Sequence, residues 1–197
     1  MSSVIQICSM ALSHLGSGSI SALTENSEGA RLCSLFYDST RDSVLRDFPW
    51  PFATKIAALG LIEADPVSEW GYSYRYPTDC LRIRRILTGD RTNPARIVYK
   101  VGQDASGSLL YTDQADAEIE YTVRIEDPNR YPADFTLALS YLLASYLAPS
   151  LAGGDPFKLG DKAYQRYQVL ISQAESSSLN EEQADEHPDS EFIRARL

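Results

Sequence analysis

The sequence predicts an α+β fold. Two N-terminal and two C-terminal helices form a four-helix bundle, an antiparallel β-sheet domain is inserted between the pairs, and an extended acidic tail follows. Three observations carry this reading. Apolar residues recur at three- and four-residue spacing near both ends of the chain. Between about residues 52 and 132 the period falls to two, in short runs broken by Gly, Pro and Asp. From Glu175 to Glu191 there are seven acids and no Lys or Arg, a composition too polar to build a core. The bundle is therefore assigned to 1–51 and 133–175, the β insertion to 52–132, and an acidic C-terminal docking arm to 176–197.

The first helix covers about residues 3–15, with Val4, Ile5, Cys8, Ala11, Leu12 and Leu15 on one stripe. Gly16-Ser17-Gly18 ends it, and Ile20 and Leu23 bridge to the next helix. That second helix begins at Asn26 or Ser27, either of which can accept a hydrogen bond from an orphan N–H, and Glu28 places negative charge in its first turn. Its apolar stripe is Cys33, Phe36, Tyr37, Thr40, Val44 and Phe48. Arg31, Asp38, Ser39, Arg41, Asp42 and Arg46 occupy the opposite face. Pro49 and Pro51 forbid continuation, because proline lacks an N–H and biases the residue before it away from helix. Trp50 and Phe52, between and after the prolines, form a structural lock that sets the angle between bundle and insertion.

Residues 52–59 alternate as an extended segment, and 63–71 is loop-like. Tyr72, Tyr74 and Tyr76 alternate with Ser73 and Arg75 up to Pro77; Leu81, Ile83 and Ile86 follow among arginines. Short strands at 97–101 and 109–112 lie on either side of a Gly/Ser/Asp turn. In 117–125, Ile119, Tyr121, Val123 and Ile125 face one way and Glu118, Glu120, Thr122 and Arg124 the other. Short strands joined by short turns read as an antiparallel meander with one buried face. Asp134 is the expected cap of a helix over about 135–151 that is apolar nearly all round, hence central or covered by neighbours. Asp155, with Pro156 at the first helical position, opens the last helix, whose stripe is Phe157, Ala163, Tyr164, Tyr167, Leu170, Ile171 and Ala174.

Composition narrows the function. A net charge of −9 argues against general affinity for a nucleic acid backbone, which needs clustered Lys and Arg. Cys8, Cys33 and Cys80 are far apart with no CxxC pair, as expected of reduced thiols in a protein made in the cytoplasm. No run reaches transmembrane length and the N-terminus has no basic signal-peptide region. His14 and His187 stand outside any catalytic motif, and the Glu118/Glu120 pair reads as a solvated strand face. The tail acids lack the glycine and spacing of a calcium loop. No enzymatic activity, cofactor or metal is expected.

One asymmetry remains. Between Arg75 and Lys100 there are seven basic residues and two acids. A solvated strand face whose charges blunt an edge accounts for it simply. Contact with an acidic surface, such as another copy's tail, is a sharper account, and a DNA-binding patch is a third. Arg82, Arg84 and Arg85 from this run, and Arg31, Asp38, Arg41, Asp42 and Arg46 from the outer face of the second helix, where mixed charges suit either lateral pairing or a solvated face, are the candidates for contact between subunits.

Three stretches carry a resemblance. Residues 7–52 run from a short helix ending in LG, through an I-x-x-L link, to an alanine-bearing helix and a W-x-F lock at Trp50 and Phe52. Tyr76-Pro77-Thr78-Asp79-Cys80-Leu81-Arg82 matches a Y-P-x-D-x-L-R strand opening, and the chain closes on a helical pair with an aromatic-rich last member. In this order the set, covering about residues 4–175, resembles the tail tubular protein A family, the head–tail adaptor (gatekeeper) proteins of short-tailed bacteriophages. The resemblance implies a helical bundle with an inserted β domain and a dodecameric ring in the virion, at the head–tail interface. It implies contacts with the portal protein, with the tail nozzle protein (tail tubular protein B) and with tail fibres or spikes, and DNA passing through the lumen without sequence-specific binding. Phe192, Ile193, Arg194, Arg196 and Leu197, at the tip of the acidic arm, are expected to dock on the portal or on a neighbouring subunit. A reading from a different class is a non-enzymatic small-molecule or peptide binding module that uses the tyrosine-rich sheet.

Overall fold

The computed structural model describes residues 3–66, 69–89 and 96–181. The expected docking residues Phe192, Ile193, Arg194, Arg196 and Leu197, together with Arg91 and His187, lie outside the described residues. The fold is mixed α+β, with four α-helices and two antiparallel sheets among the described residues.

Helix α1 (Val4–His14) is capped by Ser3, whose hydroxyl accepts from the Gln6 N–H. Helix α2 (Glu28–Asp47) is capped by Ser27, which accepts from Ala30, so the choice left open between Asn26 and Ser27 falls on Ser27. The expected stripe of α2 is inward: Cys33, Tyr37, Thr40 and Val44 are buried, as is Phe48 beyond its end. A short 3-10 turn (Pro51–Ala53) carries the chain into the β region.

Seven strands follow: β1 (Thr54–Ala58), β2 (Leu61–Ala64), β3 (Tyr72–Arg75), β4 (Cys80–Leu87), β5 (Tyr99–Asp104), β6 (Gly107–Thr112) and β7 (Glu118–Val123). They do not form the single meander that short turns suggested. β7 lies between β1 and β4 in one sheet, and the other sheet runs β2-β3-β6-β5. Glu63 and Ala64, read as the start of a loop, instead belong to β2, which pairs with β3 as an edge strand. Tyr74 and Leu110 from the second sheet share one core with Ile83, Ile86, Ile119 and Tyr121 from the first. The end of α2 packs over the other face of β7, so that face is covered as well. Thr122, assigned by alternation to the polar side, is fully buried.

Helix α3 (Ala133–Leu151) starts two residues earlier than expected. Pro132 stands at the cap position, and the Asp134 carboxylate accepts from the Phe135 N–H inside the first turn. α1, α2 and α4 (Pro156–Glu181) all pack on α3, and the extensive contact of α4 is with α3 alone. The reason is in the sequence of α3: Ala138, Leu139, Leu142, Leu143, Ala144, Leu147 and Ala148 leave it no polar face, so it needs cover on all sides. Gly160 lets α4 approach closely, since a Cβ there would stand 3.3 Å from the Ala148 methyl. α4 also continues to Glu181, six residues into the segment assigned to the acidic arm.

The two regions are joined by aromatics. Trp50 is 2% exposed and meets Phe48 and Phe135 edge-on at 4.9 and 5.2 Å. Phe52 packs on Phe135 and Tyr131. Both chain crossings between helices and sheets, at 50–53 and 131–135, therefore meet in one cluster, which is where a lock must sit to fix their relative angle.

Candidate protein interface

The charged residues marked as interface candidates on α2 do not share one fate. Arg31 is exposed and pairs with Glu28 one turn before it. Asp38 is exposed, but Arg41, assigned to the outer face, is buried: its guanidinium donates to Asp38 at 2.8 Å and to Asp42 at 2.8 and 3.0 Å. Asp42 also takes Arg124, just beyond β7, at 3.0 Å. This corrects the reading of Arg41. Helical spacing put it among charges, but an arginine can be covered when its carboxylates are local and a neighbouring element closes over it. Arg41 with Asp42 is thus a tie between α2 and the sheet.

The basic run from Arg75 to Lys100 is divided by the fold. Arg75 binds Asp104 of the β5–β6 hairpin through two hydrogen bonds, 2.9 and 3.0 Å. Arg85 pairs with Glu120 across β4 and β7 at 2.7 Å, so Glu120 is not half of a free carboxylate dyad. Arg82, Arg84 and Arg96 instead gather with Arg46 around a cleft of about 350 Å³, flanked by Tyr76 and Tyr99.

Two β-bulges in β4 build that cleft. The register slips between Cys80 and Arg82 and again between Ile83 and Arg85, so Leu81 and Arg84 are the extra residues. A bulge re-aims a side chain and shifts the alternation by one. Ile83 and Ile86 thereby both reach the core at a spacing of three, and Arg84 turns towards the end of α2.

That helix end needs donors. α2 stops before Pro49 with no glycine to close its last turn; the Trp50 N–H turns back to the Phe48 carbonyl at 3.0 Å, and the carbonyls before it look to side chains for donors. Arg84 Nη2 donates to the carbonyls of Leu45, Arg46 and Phe48 at 3.1, 3.0 and 2.8 Å, while its Nε donates to Thr122 Oγ1 at 2.8 Å. Arg82 Nη1 adds a second bond to the Arg46 carbonyl, 3.0 Å, and Trp50 Nε1 reaches the Val44 carbonyl, 2.9 Å. Positive charge at a helix C-terminus also complements its dipole. Burial lowers the Arg84 pKa, and the Arg82 charge beside it lowers it further.

The nearby acids among the described residues are engaged by other side chains. The Asp47 carboxylate accepts from the Tyr167 hydroxyl of α4, and Glu120 is held by Arg85. Among the described residues, Arg46, Arg82, Arg84 and Arg96 have no carboxylate at ion-pair distance. Sequence reading singled out Arg46, Arg82 and Arg84 but not their meeting with Arg96. The one signal in the sequence was a helix ending on Phe-Pro without a capping residue.

His14 Nε2 lies 3.1 Å from Ser140 Oγ and its ring stacks on Tyr141 at 3.9 Å, joining α1 to α3; burial lowers its pKa. No group of three or more His, Cys, Asp or Glu among the described residues is arranged to hold a metal ion. No helix among them is long and apolar enough to cross a membrane. Several large apolar side chains stand in solvent instead: Leu35 on α2, Phe157 on α4, Leu61 and Ile62 on edge strand β2, and Val98 and Val101 at β5. Comparison with models of known protein families finds no match, and comparison with curated proteins finds none.

Proposed function

We propose that this chain is a virion structural protein: a phage head–tail connector adaptor that forms a ring between portal and tail nozzle and lines the DNA channel. The observation that carries the reading is where the molecule keeps its unspent surface. Exposed Leu35, Phe157, Leu61, Ile62, Val98 and Val101 lie on outer helices and sheet edges, the places through which a building block meets its neighbours. The resemblance to tail tubular protein A supplies the kind of assembly: a helical bundle with an inserted β domain, twelve copies closing by head-to-tail contacts. A net charge of −9 suits a channel through which DNA slides without binding.

The test is to measure the mass of the purified chain alone and after addition of portal rings, and then to image the mixture. A portal-dependent ring of this chain is the expected result. A mass that portal leaves unchanged sinks the reading. A thermal-shift screen on the same sample addresses the binding-module reading, for which a ligand-dependent rise in Tm is the signature.

A further inference from the structure

The arginine cleft has two properties that its role at the end of α2 does not use. Arg46 and Arg96 are exposed and donate no hydrogen bond among the described residues. Arg82 spends only Nη1, so its Nε and Nη2 donors remain available, and the local acids Asp47 and Glu120 are engaged by Tyr167 and Arg85. With four guanidinium groups, two tyrosine rings and no carboxylate among its described lining residues, the cleft is complementary to an acidic segment. This chain carries one: Glu182, Asp185, Glu186, Asp189 and Glu191 fall within ten residues that contain no Lys or Arg.

We propose that the cleft formed by Arg46, Arg82, Arg84 and Arg96 receives the acidic segment 182–191 of a second copy of this chain.

Chain length favours a second copy over the chain's own segment. α4 passes the cleft's α2 wall at Tyr167, which bonds Asp47 beside Arg46. The helix then runs fourteen more residues to Glu181, which places its end ~21 Å farther along. Ten extended residues span at most ~35 Å. A return to its own cleft would spend Glu182, Asp185 and Glu186 on the crossing, whereas a neighbour's segment can lay all five acids along it. Such a contact is heterologous, arm of one copy to cleft of the next, and so propagates head to tail. Its attraction is largely between exposed charges and weakens with salt. The inference rests on the reading of an assembling adaptor only in requiring copies to meet; it needs no portal.

Two full-length variants test it. One carries Glu182→Gln, Asp185→Asn, Glu186→Gln, Asp189→Asn and Glu191→Gln, keeping the cleft intact. The other carries Arg46→Glu and Arg96→Glu, both exposed, keeping the segment and the α2 cap intact. A version with Arg46→Gln and Arg96→Gln guards against misfolding by charge reversal, and circular dichroism checks each fold. By sedimentation velocity at low salt, the unaltered chain should self-associate with concentration, and each variant alone should do so at least tenfold more weakly. An equimolar mixture of the two should regain a dimer, which 0.5 M NaCl dissolves. A mixture that stays monomeric overturns the second-copy contact, and so do variants that associate as well as the parent. Single-stranded DNA that binds the parent and loses binding with Arg46→Glu and Arg96→Glu would overturn it in favour of a nucleic acid site. The adaptor reading is scored separately, by portal-dependent ring formation of the unaltered chain. A ring that still forms with the neutralised segment removes this contact and leaves the adaptor standing.

Discussion

The helical layer and the β region solve the same problem, burying apolar surface, in opposite ways. The helical core draws its side chains from all four helices, most of them from α1, α2 and α3 in long, regular stripes, with small residues where helices approach. The β core is far smaller, and two of its seven fully covered members are tyrosines, Tyr74 and Tyr121. Each tyrosine needs a polar partner for its hydroxyl: Tyr74 donates to the Gln114 carbonyl and Tyr121 to Asp79. Charges divide likewise. The acids and bases of α2 are largely paired within the helix, whereas β4 sends arginines across to the helix end and leaves a cleft whose guanidinium groups have no carboxylate at ion-pair distance among the described residues. The helical layer is a stable platform, and the β region holds the groups with unused binding capacity.

If the aromatic cluster at the crossings makes the two regions one cooperative unit, Trp50→Ala should have the largest effect. It removes a buried ring and the donor to the Val44 carbonyl, a loss of about 3–5 kcal/mol. Chemical denaturation should then show a single, shifted transition; two separated transitions would show that helices and sheets unfold independently, and a loss under about 1 kcal/mol that the ring is not buried.

The bridge from β4 to α2 is sharpened by Arg84→Ala, which takes a donor from the Leu45 carbonyl, leaves Arg46 only its bond from Arg82 and Phe48 only its bond from the Trp50 N–H, and should cost about 1–3 kcal/mol. Arg84→Lys should recover only part of this, because one ammonium cannot reproduce the planar fork that serves both Thr122 and the helix end. Equal stability of the lysine and parent proteins would show that charge alone suffices.

A smaller effect belongs to the α1–α3 contact. The His14 pKa is lowered on folding, so near and below its ordinary value of about 6.5 the unfolded chain binds more protons at this site. Its contribution is therefore present at neutral pH and lost as pH falls. Stability measured at pH 7 and pH 5 should differ less in His14→Gln than in the parent; an unchanged difference would assign the pH dependence to carboxylates alone.

The smallest effect is expected at Tyr37, whose buried hydroxyl has the Tyr131 hydroxyl beside it but makes no hydrogen bond of good geometry. Removing an unsatisfied polar atom is nearly neutral or stabilising, so Tyr37→Phe should change stability by no more than about 0.5 kcal/mol to the unfavourable side. A larger loss would reveal a partner for that hydroxyl.

Local physics determined much of this molecule from its sequence. A serine before Glu28, a proline pair after Asp47 and a proline at the start of α4 set helix boundaries, because each acts within a turn of itself. The stripe of α2 and the all-round apolarity of α3 named the core, since a 3.6-residue period does not depend on which partner arrives. Trp50 and Phe52 could be named as a lock because prolines on either side of Trp50 leave its ring no place in the helix.

Tertiary structure decided what depends on pairing across distance. Strand order is one such case: β7 sits between β1 and β4 although all three are far apart in sequence, and the end of α2, packed over it, buries Thr122 against the alternation. The bulges in β4 are another, since a slipped register leaves no trace in composition, yet it turned Arg84 from a strand-face charge into the cap of a helix some forty residues earlier. The fate of each charge followed the same logic. Whether an arginine is covered, as Arg41 is, or left facing an open cleft, as Arg46 and Arg96 are, depends on which elements close over it. Periodicity places a side chain on a face; only packing determines what that face meets.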